Sequence, residues 1–118
     1  MGSEYYFSIY PSRIPLFSQP VNRTLPVVMP YPIYNADTLI YNLPVGYELK
    51  TKFDPISIIT PFGKYELLLN VIDGKILINK RFELFSGSYS LKQYPDFYSF
   101  IQSVKDIEGK KIIIKPIL

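Results

Sequence analysis

Cysteine, histidine and tryptophan are all missing from the 118 residues. Without Cys there is no disulfide, no thiolate nucleophile and no Cys-ligated metal. Without His the commonest general base and the commonest transition-metal ligand are gone, and a Ser–His–Asp triad is excluded. A strong charge of either sign is lacking too. Thirteen Lys and Arg against ten Asp and Glu leave +3, with the basic residues scattered along the chain. Nucleic-acid binding wants a basic stripe, so no nucleic-acid partner is expected. No run of 18 apolar residues offers a membrane span, and no signal peptide opens the chain. The acids show no calcium-loop spacing, and no glycine-rich phosphate loop is present. The expectation is a chain with no catalytic residue, no cofactor and no metal.

What is present is apolar and aromatic. Hydrophobic residues make up 47% of the chain, enough for a core, and the length suits one domain rather than two. Met1, Gly2 and Ser3 read as an expression scar, which leaves 4–118 as a single domain. Its centre is residues 64–85. Asp73-Gly74 between two apolar-rich runs is the strongest short hairpin signal, since both central positions of a type I′ turn need φ > 0. A two-residue loop fixes the register. Val71 then faces Ile76, Leu69 faces Ile78, Leu67 faces Lys80 and Tyr65 faces Phe82. On the other face Glu66 meets Arg81 and Lys64 meets Glu83, as cross-strand charge pairs rather than a catalytic cluster. Lys80 lands on the apolar face and is expected to snorkel its ammonium to the sheet edge.

Around this hairpin the punctuation is regular. Residues 4–10 read as an aromatic strand, closed by Pro11. Residues 12–26, with Pro15, Pro20 and Pro26, form a long irregular crossing. Residues 27–29 suit a short edge strand between prolines. Strands follow at 38–43, at 47–53 with a solvated lysine face, and at 56–60. Residues 86–88 read as a loop. Pro95 and Asp96 open a helix with the apolar stripe Phe97, Phe100, Ile101, Val104 and Ile107, and Gly109 stands where a C′ residue belongs. A final strand covers 111–117. Seven or eight short strands and one late helix predict a mainly β fold, an antiparallel β-sandwich of immunoglobulin-like layout with one α-helix before the last strand.

Aromatic residues reach 16%, including eleven Tyr. Tyr41, Tyr47 and Tyr65 fall on apolar strand faces and belong to the core or its corners. Tyr5, Tyr6, Tyr10, Tyr31 and Tyr34 are not placed by periodicity. They are the candidate interaction residues, either as a glycan platform or beside a free sheet edge that takes a peptide.

Several segments together resemble a known family. They are Leu43-Pro44-Val45-Gly46-Tyr47, Pro61-Phe62-Gly63-Lys64-Tyr65, Arg81 with Glu83, Tyr94-Pro95-Asp96-Phe97-Tyr98-Ser99-Phe100, and Ile112-Ile113-Ile114-Lys115, with Arg23 and Pro26 before them. The set resembles the small C-terminal domain, of unknown function, of exported transglutaminase-like proteins of Bacteroidetes bacteria. The sequence departs after Tyr47, where a second Leu-Pro is replaced by Phe53-Asp54-Pro55. The family's catalytic Cys, His and Asp lie in a separate core, so the resemblance carries over no catalytic residue. It implies a non-catalytic accessory domain, a transglutaminase-like core as partner, and a periplasmic or cell-surface location.

Overall fold

Asp73 and Gly74 take φ of 50° and 71°, the left-handed pair that a two-residue type I′ loop requires. The loop joins β6 (Gly63–Ile72) to β7 (Lys75–Leu84). All four expected inner-face partners are in register, and so are Glu66↔Arg81 and Lys64↔Glu83. Neither of those charged pairs closes to an ion pair among the described residues. The computed structural model describes residues 3–9, 11–17, 19–22, 24–51 and 54–117. Expected strand positions 10, 52 and 53 lie outside them, as does Arg23.

Before the hairpin come β1 (Tyr5–Ser8), a 3-10 turn (Pro20–Asn22), β2 (Val27–Met29), β3 (Ile33–Asn42), β4 (Tyr47–Leu49) and β5 (Ile56–Ile59). After it come β8 (Gly87–Tyr89), α1 (Tyr94–Glu108) and β9 (Lys111–Pro116). Among the described residues all strand pairing is antiparallel, in three sheets ordered β3-β7-β6-β5, β1-β9-β4 and β2-β8. The fold is mainly β with a single α-helix among the described residues.

Four expectations need correcting. Residues 86–88 are not all loop: β8 forms and pairs with β2, drawn in by Tyr89, which is buried against the core. β3 starts at Ile33 rather than 38, because its inner face carries Asn35 and Asp37, whose polarity masks the alternation. β4 stops at Leu49, where the Lys50 and Thr51 amides both donate to the Ile113 carbonyl, at 2.8 and 3.3 Å. Gly109 ends the helix with φ of −80°, in ordinary right-handed geometry rather than the left-handed C′ form. Gly63 has a packing reason: a Cβ there would collide with the Glu83 carbonyl, so β6 approaches β7 closely only with glycine at its start.

The helix stripe covers the sheet. Phe97, Phe100, Ile101 and Val104 are buried, Ile107 partly so, and Tyr94 joins them from the first turn. Phe100 stacks on Phe82 of β7 at 6.1 Å between ring centroids, and Phe97 meets Phe62 edge-on at 5.6 Å. At the other end of the sheet Phe7 of β1 packs on Tyr41 of β3 at 4.5 Å. Cover thins toward the hairpin tip, where Val71 and Ile72 are about half exposed. The long hairpin also stretches the molecule to 56 × 24 × 19 Å. Its radius of gyration is 17.4 Å, against about 13.5 Å for a compact chain of this length.

Truncating Phe100 to Ala should cost about 3–5 kcal/mol out of a typical domain stability of about 5–15 kcal/mol. Urea unfolding reads this directly. An unchanged midpoint would place the ring outside the cooperative core.

Candidate functional site

The inner faces of β6, β7 and α1 are apolar except at one place. Lys80 on β7 stands opposite Leu67, and Glu108 is the last residue of α1. Glu108 continues the buried stripe, four residues after Val104 and seven after Ile101, so the helix turns it onto the sheet. Both side chains are buried, with Lys80 Nζ 3.3 Å from Glu108 Oε2. Asp37 of β3, cross-strand from Lys80, lies 3.8 Å from the same ammonium and is 42% exposed. Tyr65 donates its hydroxyl to Glu108 Oε2 at 3.0 Å. Ser12 donates its N–H to Oε1 at 2.8 Å and its Oγ–H to Oε2 at 2.6 Å. The cluster thus ties together three elements of the hairpin–helix layer and the proline-rich segment that follows β1.

The expected snorkelling of Lys80 does not occur. The ammonium remains inside because a carboxylate waits for it there. Burying either charge alone would cost several kcal/mol, and the pair is viable because Glu108 also receives three hydrogen bonds. A carboxylate at a helix C-terminus opposes the dipole, so Lys80 and the donors offset that cost as well. Burial pushes the Tyr65 phenol well above its ordinary range, and the Glu108 carboxylate beside it adds to the shift. Among the described residues every buried side-chain nitrogen and oxygen has a hydrogen-bond partner.

Two hollows flank this cluster. One, of about 380 Å³, is lined by Ile9, Pro11, Ser12, Ile14, Lys105 and Glu108 beside the helix end. The other, of about 270 Å³, lies across the sheet around Ala36, Thr38, Glu66, Asn79 and Arg81. In it the Thr38 hydroxyl donates to Asn79 Oδ1 at 3.0 Å.

The candidate interaction tyrosines do not converge. Tyr5, Tyr6, Tyr31 and Tyr34 are all exposed, and Tyr10 lies outside the described residues. Tyr5 and Tyr6 point to opposite faces of β1, and the Tyr5 ring sits 5.7 Å from that of Tyr47. Tyr34 is at the other end of β3 from Tyr41, the residue β1 packs on, seven residues or roughly 23 Å away. The half-buried Tyr41 and Tyr47 and the fully buried Tyr65 are core and corner residues, as expected. Glu108 and Asp37 went unnoticed in the sequence. Two opposite charges, each interrupting an apolar pattern (Lys80 on the strand face, Glu108 on the helix stripe), were the signal for the pair.

The model of DUF3858, a domain of unknown function with a solved structure, matches residues 6–114. The chain belongs to the DUF3858 family. No curated protein matches it. A crystal structure of a candidate protease from Parabacteroides distasonis ATCC 8503 is similar, with a TM-score of 0.68 and 21% identity over 78% of this chain. At that identity the likeness establishes the fold alone. The matched stretch makes up 18% of that protein's chain. The DUF3858 domain therefore shares its fold with a small part of a much longer polypeptide from a Bacteroidetes bacterium.

Removing one charge of the buried pair should be far worse than removing both. Glu108→Ala is expected to cost about 3–5 kcal/mol, by taking the nearer carboxylate from the buried Lys80 and the acceptor from Tyr65 and Ser12. Lys80→Met combined with Glu108→Gln, which keeps an acceptor for Tyr65 and Ser12, should recover most of it in chemical denaturation. A double variant as weak as the single one would contradict the account.

Tyr65 also sets an alkaline limit. Its folded pKa lies above the unfolded value of 10.0. The unfolded chain therefore loses this proton first, so the contribution is complete below pH 10 and falls away as pH rises. Wild type should lose up to about 1.4 kcal/mol per pH unit more than Tyr65→Phe above pH 10. Parallel melting curves from pH 9 to 11.5 would refute this.

Proposed function

We propose that this DUF3858 domain is a non-catalytic accessory domain that packs on a transglutaminase-like catalytic core of the same exported Bacteroidetes polypeptide, as its C-terminal unit, in the periplasm or at the cell surface. The observation that carries the reading is the state of the buried cluster. Lys80, Glu108, Tyr65 and Ser12 are the groups with the chemistry to act, and they are committed to one another at 2.6–3.3 Å as a lock between hairpin, helix and the segment after β1. An acid–base pair of this kind does work on a substrate only when one partner is left for it. The match to a minor share of a longer chain supports a role beside a larger neighbour. In this reading the four-stranded sheet forms one layer of a sandwich, and the three-stranded sheet and helix form the other. A glycan platform draws less support, since the exposed tyrosines are divided between separate regions of the surface.

The test compares the transglutaminase-like core of the parent protein with and without this domain attached. The core should melt higher with it, and the isolated domain should turn over no peptide or ester substrate. Two results would overturn the proposal. One is turnover by the isolated domain that survives repurification and vanishes in Lys80→Met. The other is a core whose melting temperature ignores the domain.

A further inference from the structure

Most sheet edges in this fold are short. β1, β2, β4, β5 and β8 run three or four residues, and Pro11, Pro26, Pro30, Pro44, Pro55 and Pro61 stand near their ends. Such edges resist pairing with another chain. β3 differs: it is ten residues long and outermost in its sheet.

The register tells which of its backbone groups are free. The Leu43 N–H donates to the Gly74 carbonyl at 2.8 Å, and hydrogen-bonded pairs recur at every second residue of an antiparallel ladder. The N–H and C=O groups of Ile33, Asn35, Asp37, Leu39 and Tyr41 therefore point at β7. Those of Tyr34, Ala36, Thr38, Ile40 and Asn42 point away from it. The Tyr34 carbonyl agrees with this parity, because it accepts from Asn35 Nδ2 at 3.0 Å while Asn35 Oδ1 takes the Arg13 N–H. That end of the edge is tied down by the chain itself. From Ala36 onward no backbone hydrogen bond crosses the edge among the described residues.

The side chains along the free stretch are unfinished in the same way. Ile40 is 58% exposed on the outer face, and Leu39 and Tyr41 are only half-buried on the inner one. Asp37 lies between them and the tied end. Its 3.8 Å approach to Lys80 is the longer of that ammonium's two ion pairs among the described residues, the closer carboxylate being Glu108. Two carboxylates, Asp37 and Glu108, thus stand against this one ammonium.

We propose that residues 36–42 of β3 pair with an extended segment of a partner polypeptide, one with Lys or Arg facing Asp37 and apolar side chains facing Leu39 and Tyr41. Strand addition supplies main-chain hydrogen bonds for affinity and alternate side chains for selectivity. In an antiparallel complex Asp37 occupies a non-hydrogen-bonded position, where facing side chains come closest, so a cation there is favoured and an anion opposed. A second copy of this chain is a poor occupant. Ladder parity allows even-sum registers only, and the register centred on Asp37 sets it against its own copy. The register centred on Thr38 sets Asp37 against Leu39. The inference rests on the accessory-domain reading and gives that docking a surface.

The experiment titrates the isotope-labelled domain with a soluble peptide of about nine residues, Val at alternate positions and one Lys on the same face near its C-terminus, and with the counterpart that carries Glu in place of that Lys. Amide shifts should saturate across residues 36–42, with the Glu peptide at least about tenfold weaker, since facing like charges are costly at an interface. Asp37→Asn should erase that discrimination. Ile40→Pro removes an outward N–H without cutting the ladder to β7, so it should abolish binding while the rest of the spectrum stays folded. If Ile40→Pro perturbs the fold, Thr38 N-methylated by semisynthesis serves instead. Saturation elsewhere, none at all, or concentration-dependent self-association through β3 would overturn the proposal. If the transglutaminase-like core binds the domain regardless of Ile40→Pro, the edge proposal fails and the accessory reading stands. If the edge takes the Lys peptide but the core ignores the domain, the reverse holds.

Discussion

A two-residue turn at Asp73 and Gly74 sets the parity of half the molecule. With two left-handed residues and no slack, β6 and β7 can pair in one register. That register sends Tyr65, Leu67, Ile76, Ile78 and Phe82 inward, and with them Lys80. It also fixes which β7 amides reach β3, and so which β3 amides are left over. One residue more in the loop would shift the pairing and exchange the solvated and buried sets. The apolar bed for α1, the buried charge and the open edge all follow from a turn remote from each of them.

An inward lysine is then a problem the rest of the chain has to solve. The solution draws on distant segments: Glu108 from the end of the helix, and Ser12, 96 residues away from it in sequence. Closing such a long loop costs entropy, and the charge makes that closure worthwhile. Without Glu108 in place, and Ser12 to hold it, the buried ammonium would lose its nearer carboxylate. The lock is therefore better understood as a determinant of arrangement than of stability, since an apolar cluster of the same volume would hold the layers at least as well.

Legibility in the sequence followed the same physics. The hairpin and its register were readable because Asp-Gly and strict alternation are local signals. The helix was readable because five apolar residues keep its period. β8 was hidden because Ser-Gly-Ser looks like a turn, and only the later Tyr89 brings it to the sheet. β3 was half hidden, since Asn35 and Asp37 place polar groups on its inner face. The charged pair was invisible for a different reason. Lys80 and Glu108 are 28 positions apart on unlike elements, and no single-segment pattern joins them. Each appeared alone as an exception to its own period.

Exceptions to local pattern mark, along β3, where the chain covers its own edge and where that cover stops. Asn35 interrupts the alternation of β3 and ties down its first half, through the Tyr34 carbonyl and the Arg13 amide. Asp37 interrupts it again, at the point where the chain stops covering the edge. An inward-facing charge on an edge strand is a known guard against promiscuous pairing, and Asp37 has that position. It is partly exposed and the more distant of the two carboxylates at Lys80, so it leaves the edge closed to a copy of itself and open to a cation. In a fold whose other edges end within four residues of where they begin, a ten-residue edge with one acidic guard is the feature that selection for solubility alone would have shortened. Its length is explained if something is meant to lie along it.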